Sequence, residues 1–221
     1  MYIKKYMTAN PITIDKNMSA VEAADLMKLH GVRRFPVIHN NELIGMVTDR
    51  DLRSAAPSQV VSFDEQERKL FPDLYDLLKQ IKIIEIMKTD VISISPDKSV
   101  VKAAGTMLEH RISGLTVVDS RNKLIGIITE SDIFKALADF SGGKIIFGFR
   151  LKDTPGSIKD VIDVIRENEG RIASIFTTYP ADEPGSRHTF IRIRDVAPEK
   201  LEKLENVVKE KFDLLCVIDD S

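Results

Sequence analysis

Two threonine–aspartate pairs have the residue types and spacing to do chemistry: Thr48 with Asp51 in LIGMVTDRDL at 43–52, and Thr129 with Asp132 in LIGIITESDI at 124–133. In each, an apolar run containing one glycine delivers the chain to the threonine, and a helical stretch begins behind it. The simplest chemistry is a helix cap. Threonine at the N-cap and aspartate at the N3 position satisfy amides that a helix start leaves unpaired, worth about 1 kcal/mol. The same arrangement also makes a ligand site, because free amides and the helix dipole attract an anion. A neighbouring carboxylate accepts hydrogen bonds from two vicinal hydroxyls, as acidic residues do with ribose. Phosphate plus diol means a nucleotide. Capping alone accounts for both pairs, but not for the glycine and apolar residues before each, nor for the duplication.

The residues around the two pairs differ in charge. The first copy carries Arg33, Arg34, Arg50 and Arg53, where the second has Ser113, Gly114, Ser131 and Phe134. Charge-assisted hydrogen bonds to phosphate favour the arginines. The cleft that uses Arg50 and Asp51 is therefore expected to prefer a phosphorylated ligand, and the other to bind more weakly or to take a less charged one. The alternative is that these arginines are solvated surface.

The elements that must position these residues are themselves repeated. Met7 aligns with Met87, Ile12 to Ile14 with Ile92 to Ile94, Ser19 with Ser99, Ala23 and Ala24 with Ala103 and Ala104, and His30 with His110. One extra residue in the turn DSRNKLIG, against HNNELIG, shifts the register before Gly45, Thr48 and Asp51 meet Gly126, Thr129 and Asp132. Such insertions belong in loops. Each copy reads as strand, helix, strand, strand, helix. ITI alternates, Ser19 and Glu22 form a capping box, Gly31 closes the helix, and FPVI and LIGMV flank a polar turn as an antiparallel hairpin. Between the copies, 53–83 reads as a helical connector interrupted by proline. His30 and His110 sit at helix ends, where capping or packing explains them better than metal binding.

The MT…ITI starts, the RFPVI and LTVVD segments and the GMVTDRD and GIITESD ends together resemble a pair of CBS domains, over about the first 135 residues. The resemblance implies two copies packed with pseudo-twofold symmetry around two clefts that take adenine nucleotides or S-adenosylmethionine. It implies that Asp51 and Asp132 hold ribose hydroxyls and that Thr48 and Thr129 contact ribose or phosphate, beside Arg50 and Ser131. It places the base near Pro11 and Ile12 or Val91 and Ile92, against Arg34 and Pro36 or Gly114 and Thr116.

From residue 145 the pattern changes, and FSGGK at 140–144 is a plausible boundary. A strand at IIFGFRL, a helix carrying Ile158, Val161, Ile162 and Ile165, the hairpin RIASIFTTY and HTFIRIR, a helix from Glu199 to Lys211 and a strand DLLCVID follow. That order is the split βαββαβ, ferredoxin-like unit. With KDTPGSI after its first strand, the segment resembles an ACT domain, a module that senses amino acids and dimerises edge to edge. The resemblance implies an effector site at Asp153, Gly156 and Ser157, although Pro155 and Gly156 also have a purely structural use at a helix start. Gly170 and Arg171 replace the asparagine usual before the second strand.

The expected architecture is thus α/β (α+β): CBS repeat 1 at 1–59, a connector at 60–84, CBS repeat 2 at 85–140 and an ACT domain at 144–221. With APS at 56–58 in the connector, this order resembles the acetoin-utilisation AcuB-type proteins. That implies a regulatory protein that binds AMP, ADP, ATP or S-adenosylmethionine and passes the change to a dimeric ACT module or a partner enzyme, in acetoin or acetate metabolism. The competing reading is a scaffold or dimerisation protein whose TxxD pairs are only caps.

Composition narrows the field. With 43% hydrophobic and 30% charged residues and a formal net charge of −2, the chain has no basic excess to drive nucleic-acid binding. The apolar run Leu214 to Ile218 is too short to cross a bilayer and MYIKKYM lacks a signal-peptide core, so a cytoplasmic protein with no membrane partner is expected. Cys216, alone in LLCVI, reads as a buried filler. No nucleophile with a base, no metal-ligand spacing and no Gly-rich phosphate loop appears, so neither catalysis nor a catalytic cofactor or metal is expected. A small-molecule ligand and a homodimer are.

Overall fold

The computed structural model describes residues 1–55, 69, 72–139, 144–194 and 196–220. The APS triplet, the connector at 59–68 and 70–71, and positions 140–143 of the expected boundary turn lie outside the described residues. The chain forms two compact units, Met1–Lys135 and Ala136–Ser221.

In the first unit the order is α1 (Ile3–Tyr6), β1 (Thr8–Ala9), β2 (Ile14–Asp15), α2 (Ala20–His30), β3 (Arg34–His39), β4 (Glu42–Thr48) and α3 (Asp49–Ala55). Then come α4 (Pro72–Gln80), α5 (Ile83–Ile86), β5 (Ser93–Ile94), α6 (Val100–His110), β6 (Gly114–Val118), β7 (Leu124–Thr129) and α7 (Glu130–Ala138), whose residues from Ala136 on belong to the second unit. Local chemistry sets the boundaries. Ser19 caps α2 in a complete capping box with Glu22, and Gly31 ends the helix in the left-handed conformation at φ 64. In the second copy Arg111 occupies that left-handed position, at φ 53. The hairpin of β3 and β4 turns through Asn40 and Asn41, both at positive φ, as a two-residue I′-type connection requires. The longer second turn is held instead by Asp119, whose Oδ1 accepts from the amides of Arg121 and Lys123 at 2.9 Å each. Pro72 stands at the first position of α4, where its missing N–H costs nothing.

The copies exchange their lead-in segments. The amides of Ile3 and Lys4 bond to Lys98 O and Pro96 O of the second copy, and those of Ile83 and Ile84 bond to Met18 O and Lys16 O of the first. Strand β1 joins the sheet β1-β7-β6-β5, while Lys88 and Met46 exchange backbone bonds at 2.9 Å beside the sheet β2-β3-β4. This explains the glycine before each TxxD pair. A Cβ at Gly45 would lie 2.6 Å from Met87 Sδ, and one at Gly126 would lie 2.6 Å from Met7 Sδ. Each glycine admits the methionine of the other copy's lead-in. The core of the first copy accordingly combines Phe35, Val37, Val47, Ala23 and Leu52 with Ile83 from the exchanged segment.

The second unit runs β8 (Ile145–Lys152), α8 (Ser157–Glu167), β9 (Arg171–Thr178), β10 (Ser186–Arg194), α9 (Pro198–Lys211) and β11 (Asp213–Asp219). Its sheet is antiparallel in the order β11-β8-β10-β9, so the βαββαβ order read from the sequence is the one present. Phe147, Phe149, Ile191 and Ile193 meet Val161, Ile165, Leu204 and Val208 in its core. Cys216 is half-buried, its sulfur where a Cβ on Gly148 would come within 2.7 Å.

Candidate functional site

Strand β4 ends at Thr48 and hands the chain directly to α3, so Thr48 is the N-cap and Asp51 the N3 residue. Asp51 Oδ2 accepts from Thr48 N at 2.9 Å and Thr48 Oγ1 at 2.6 Å, and Thr48 Oγ1 accepts from Asp51 N at 3.3 Å. In the second copy, Asp132 Oδ2 accepts from Thr129 N at 2.8 Å and Thr129 Oγ1 at 2.7 Å. The caps are real. They use Oδ2 in both copies, which leaves Oδ1 outside the cap and able to accept from a ligand hydroxyl.

Thr48 from the first pair and both Thr129 and Asp132 from the second line one cavity of about 1200 Å³ shared by the two copies. Ile12, Arg34, Pro36, Thr48 and Arg50 line it from the first copy, and Ile92, Gly114, Thr129, Ser131 and Asp132 from the second. Two residues singled out from the sequence lie behind the wall. Thr116 is fully buried and holds the lead-in strand, its Oγ1 2.7 Å from Ser93 Oγ and 3.3 Å from Ile92 O. Asp51, its side chain 12% exposed, is not on the wall, and its Oδ1 lies 3.6 Å from Lys88 Nζ.

Lys88, which lines the cavity, is the residue that sequence reasoning missed. It aligns with Thr8 and arrives on the exchanged segment, so nothing local to TDRD announces it. The pairing of Met7 and Met87 with Gly126 and Gly45 is the signal that could have placed it. All four first-copy arginines, Arg33, Arg34, Arg50 and Arg53, line the cavity. Arg34 crosses to the second copy, where its Nη2 donates to Ser113 Oγ at 2.7 Å. Burial lowers its pKa, opposed by the charge of Glu130 and reinforced by that of Arg33. Arg111 lines the cavity from the second copy, and these cations outnumber the carboxylates Asp49, Asp90, Glu130 and Asp132 on the wall. With its apolar walls the cavity can therefore hold a phosphorylated molecule with an apolar ring and a hydroxylated part.

In the second unit, Gly156 caps α8 at φ 94, a conformation that favours glycine. Asp153 Oδ1 lies 3.3 Å from Arg187 Nη2, which also donates to Thr154 O at 2.8 Å. Ser157 Oγ is buried without a hydrogen-bond partner. Asp153, Gly156 and Ser157 therefore share one loop and helix start, and Arg187 is the member the sequence did not show. Gly170 has its own packing reason, since a Cβ there would lie 2.9 Å from Ile165 O.

The chain matches the CBS domain family over residues 3–58 and 83–139. It belongs to the CBS-domain family. Among relatives of this CBS-domain protein, the CBS domain-containing protein YhcV of Bacillus subtilis is 32% identical over 131 residues, 59% of this chain and 81% of the relative. The solved CBS domain pair of protein MJ0100, in complex with 5′-methylthioadenosine and S-adenosyl-L-methionine, is 26% identical with a TM-score of 0.50. It covers 63% of this chain and 97% of that one. A provisionally assigned acetoin utilization protein (AcuB) from Vibrio cholerae is 29% identical with a TM-score of 0.50, over 63% of this chain and 91% of its own. The exchanged lead-ins and the paired caps therefore form the CBS pair. Among the described residues no helix is long and apolar enough to cross a membrane.

Proposed function

We propose that this CBS-domain protein is a regulatory sensor that binds an adenosine ligand, an adenine nucleotide or S-adenosylmethionine, in the cavity between its CBS repeats. The observation that carries the reading is the cavity itself: two TxxD pairs, each with one carboxylate oxygen outside the cap, flank a space rich in arginine. The MJ0100 pair, which holds two adenosine compounds, supports it. In this reading Asp132 Oδ1 and Asp51 Oδ1 accept from ribose hydroxyls, the latter after Lys88 moves aside. Arg50 and Lys88 make the Thr48 half the one for phosphate. Ile12 and Ile92 offer apolar surface to the base.

The βαββαβ unit is the second part of the proposal. Its topology and the KDTPGSI loop support an ACT module that dimerises and passes the change at the CBS pair to a partner enzyme, with Asp153, Gly156, Ser157 and Arg187 as its effector site. The likeness to the Vibrio cholerae protein supports a role in acetoin or acetate metabolism. The scaffold reading is favoured by one observation, that the cap hydroxyls and Oδ2 atoms are satisfied without a ligand.

Thermal unfolding with AMP, ADP, ATP, S-adenosylmethionine and NAD separates the two. A ligand at one hundred times its Kd adds about 2.7 kcal/mol and raises Tm by several degrees. Silence from all five favours the scaffold.

A further inference from the structure

The two halves of the cavity follow one plan but meet around a single arginine. Position 34 aligns with position 114, and each faces its own copy's cap threonine across the hairpin, Arg34 opposite Thr48 and Gly114 opposite Thr129. These two positions also adjoin each other. A Cβ on Gly114 would overlap the Arg34 guanidinium, which donates to the neighbouring Ser113 Oγ at 2.7 Å. One long side chain thus fills the space that both copies face, and only because its counterpart has no side chain.

The acids differ in the same sense. Asp49, the first residue of α3, is ion-paired with Arg53 one turn on. The aligned Glu130 has Phe134 at that spacing and so lacks the partner that Asp49 has on its own helix, while its charge acts on Arg34. The cavity, about 1200 Å³, exceeds the roughly 300–1,000 Å³ of a single small-molecule pocket, which leaves room for a ligand in each half.

Resting on the nucleotide reading above, we infer that Arg34 is a phosphate-binding residue shared by the two halves and sets their order of filling. Phosphate in the Thr48 half draws the guanidinium off Ser113 and leaves Glu130 unscreened in the Thr129 half. A phosphorylated ribonucleoside then fills the halves unequally, because the second phosphate meets Glu130 without Arg34, and Arg111 is the arginine that the second copy itself adds to the wall. An uncharged ribonucleoside lacks the phosphate contact and senses Arg34 far less.

Calorimetric titration of the full chain with AMP and, separately, with adenosine tests this. Wild type should take AMP in two steps differing by about tenfold or more, the scale of one charge-assisted hydrogen bond. Arg34→Ala should weaken the first AMP step by a similar factor and change adenosine by much less. Gly114→Ala keeps the arginine but displaces it from its seat, so the first AMP step should be tighter, with no bond to Ser113 to break, and the second unchanged, which widens the separation. Arg34→Ala shifting AMP and adenosine alike, or neither, overturns the inference, and so does an unchanged AMP separation in Gly114→Ala, which decides alone if Arg34→Ala does not fold. Adenosine binding with AMP insensitive to Arg34 overturns the inference only. Absence of binding by both ligands overturns the nucleotide reading and the inference with it.

Discussion

At the scale of single residues, the same atoms serve structure and, in the proposed function, recognition. Thr48 and Asp51 satisfy each other around the start of α3, so Thr48→Ala should cost about 1 kcal/mol of stability, read as a lower urea midpoint at unchanged slope. Glu22 gives a pH-dependent counterpart. Ser19 Oγ and Ser19 N donate to its carboxylate at 2.7 and 2.8 Å, and these bonds hold its pKa below the ordinary glutamate value. A depressed carboxylate stabilises fully above its unfolded pKa, about 4.3, and that contribution is lost as pH falls through the lower folded value. Glu22→Gln should therefore flatten the decline in urea midpoint below about pH 4.3, where wild type falls. An identical acid limb in both proteins would remove Glu22 from the account. The capping box was legible from Ser19 and Glu22 alone because its partners lie three residues apart. The bond of Arg34 to Ser113 was not, since its partners are 79 residues apart and on different copies.

At the scale of elements, the exchange of lead-in segments organises the CBS pair. The repeat, the hairpins and the helix ends could be read from periodicity and turn residues, and the βαββαβ order of the second unit likewise. The exchange could not, because α1 and α5 are four residues each and leave no periodic signal. What the sequence did show was its footprint, a glycine before each TxxD pair. Gly45→Ala and Gly126→Ala should each cost about 1–3 kcal/mol, as a methyl is driven against methionine and a lead-in carbonyl. Gly105→Ala is the control. It lies inside α6 with nothing within 4 Å of an added Cβ, so alanine there should stabilise by about 0.4–1 kcal/mol. Thermal or urea unfolding of the three variants checks both signs. Equal effects would mean that the methionines yield freely and that the glycines have another purpose.

At the scale of the whole molecule, the central claim is that the CBS cavity binds an adenosine ligand through the carboxylates beside its caps. The residues expected from the sequence converge on that cavity, apart from Asp51 and Thr116 behind its wall, and Lys88 joins them. The most direct test is calorimetry of wild type against the Asp51→Ala and Asp132→Ala double variant, titrated with AMP and with S-adenosylmethionine. Unfolding of each protein without ligand separates the loss of two caps, about 1 kcal/mol apiece, from loss of binding. At least one of the two ligands should bind wild type and lose at least about tenfold in affinity in a double variant that remains folded. Undiminished binding by that folded variant, or no binding by wild type, would contradict the claim.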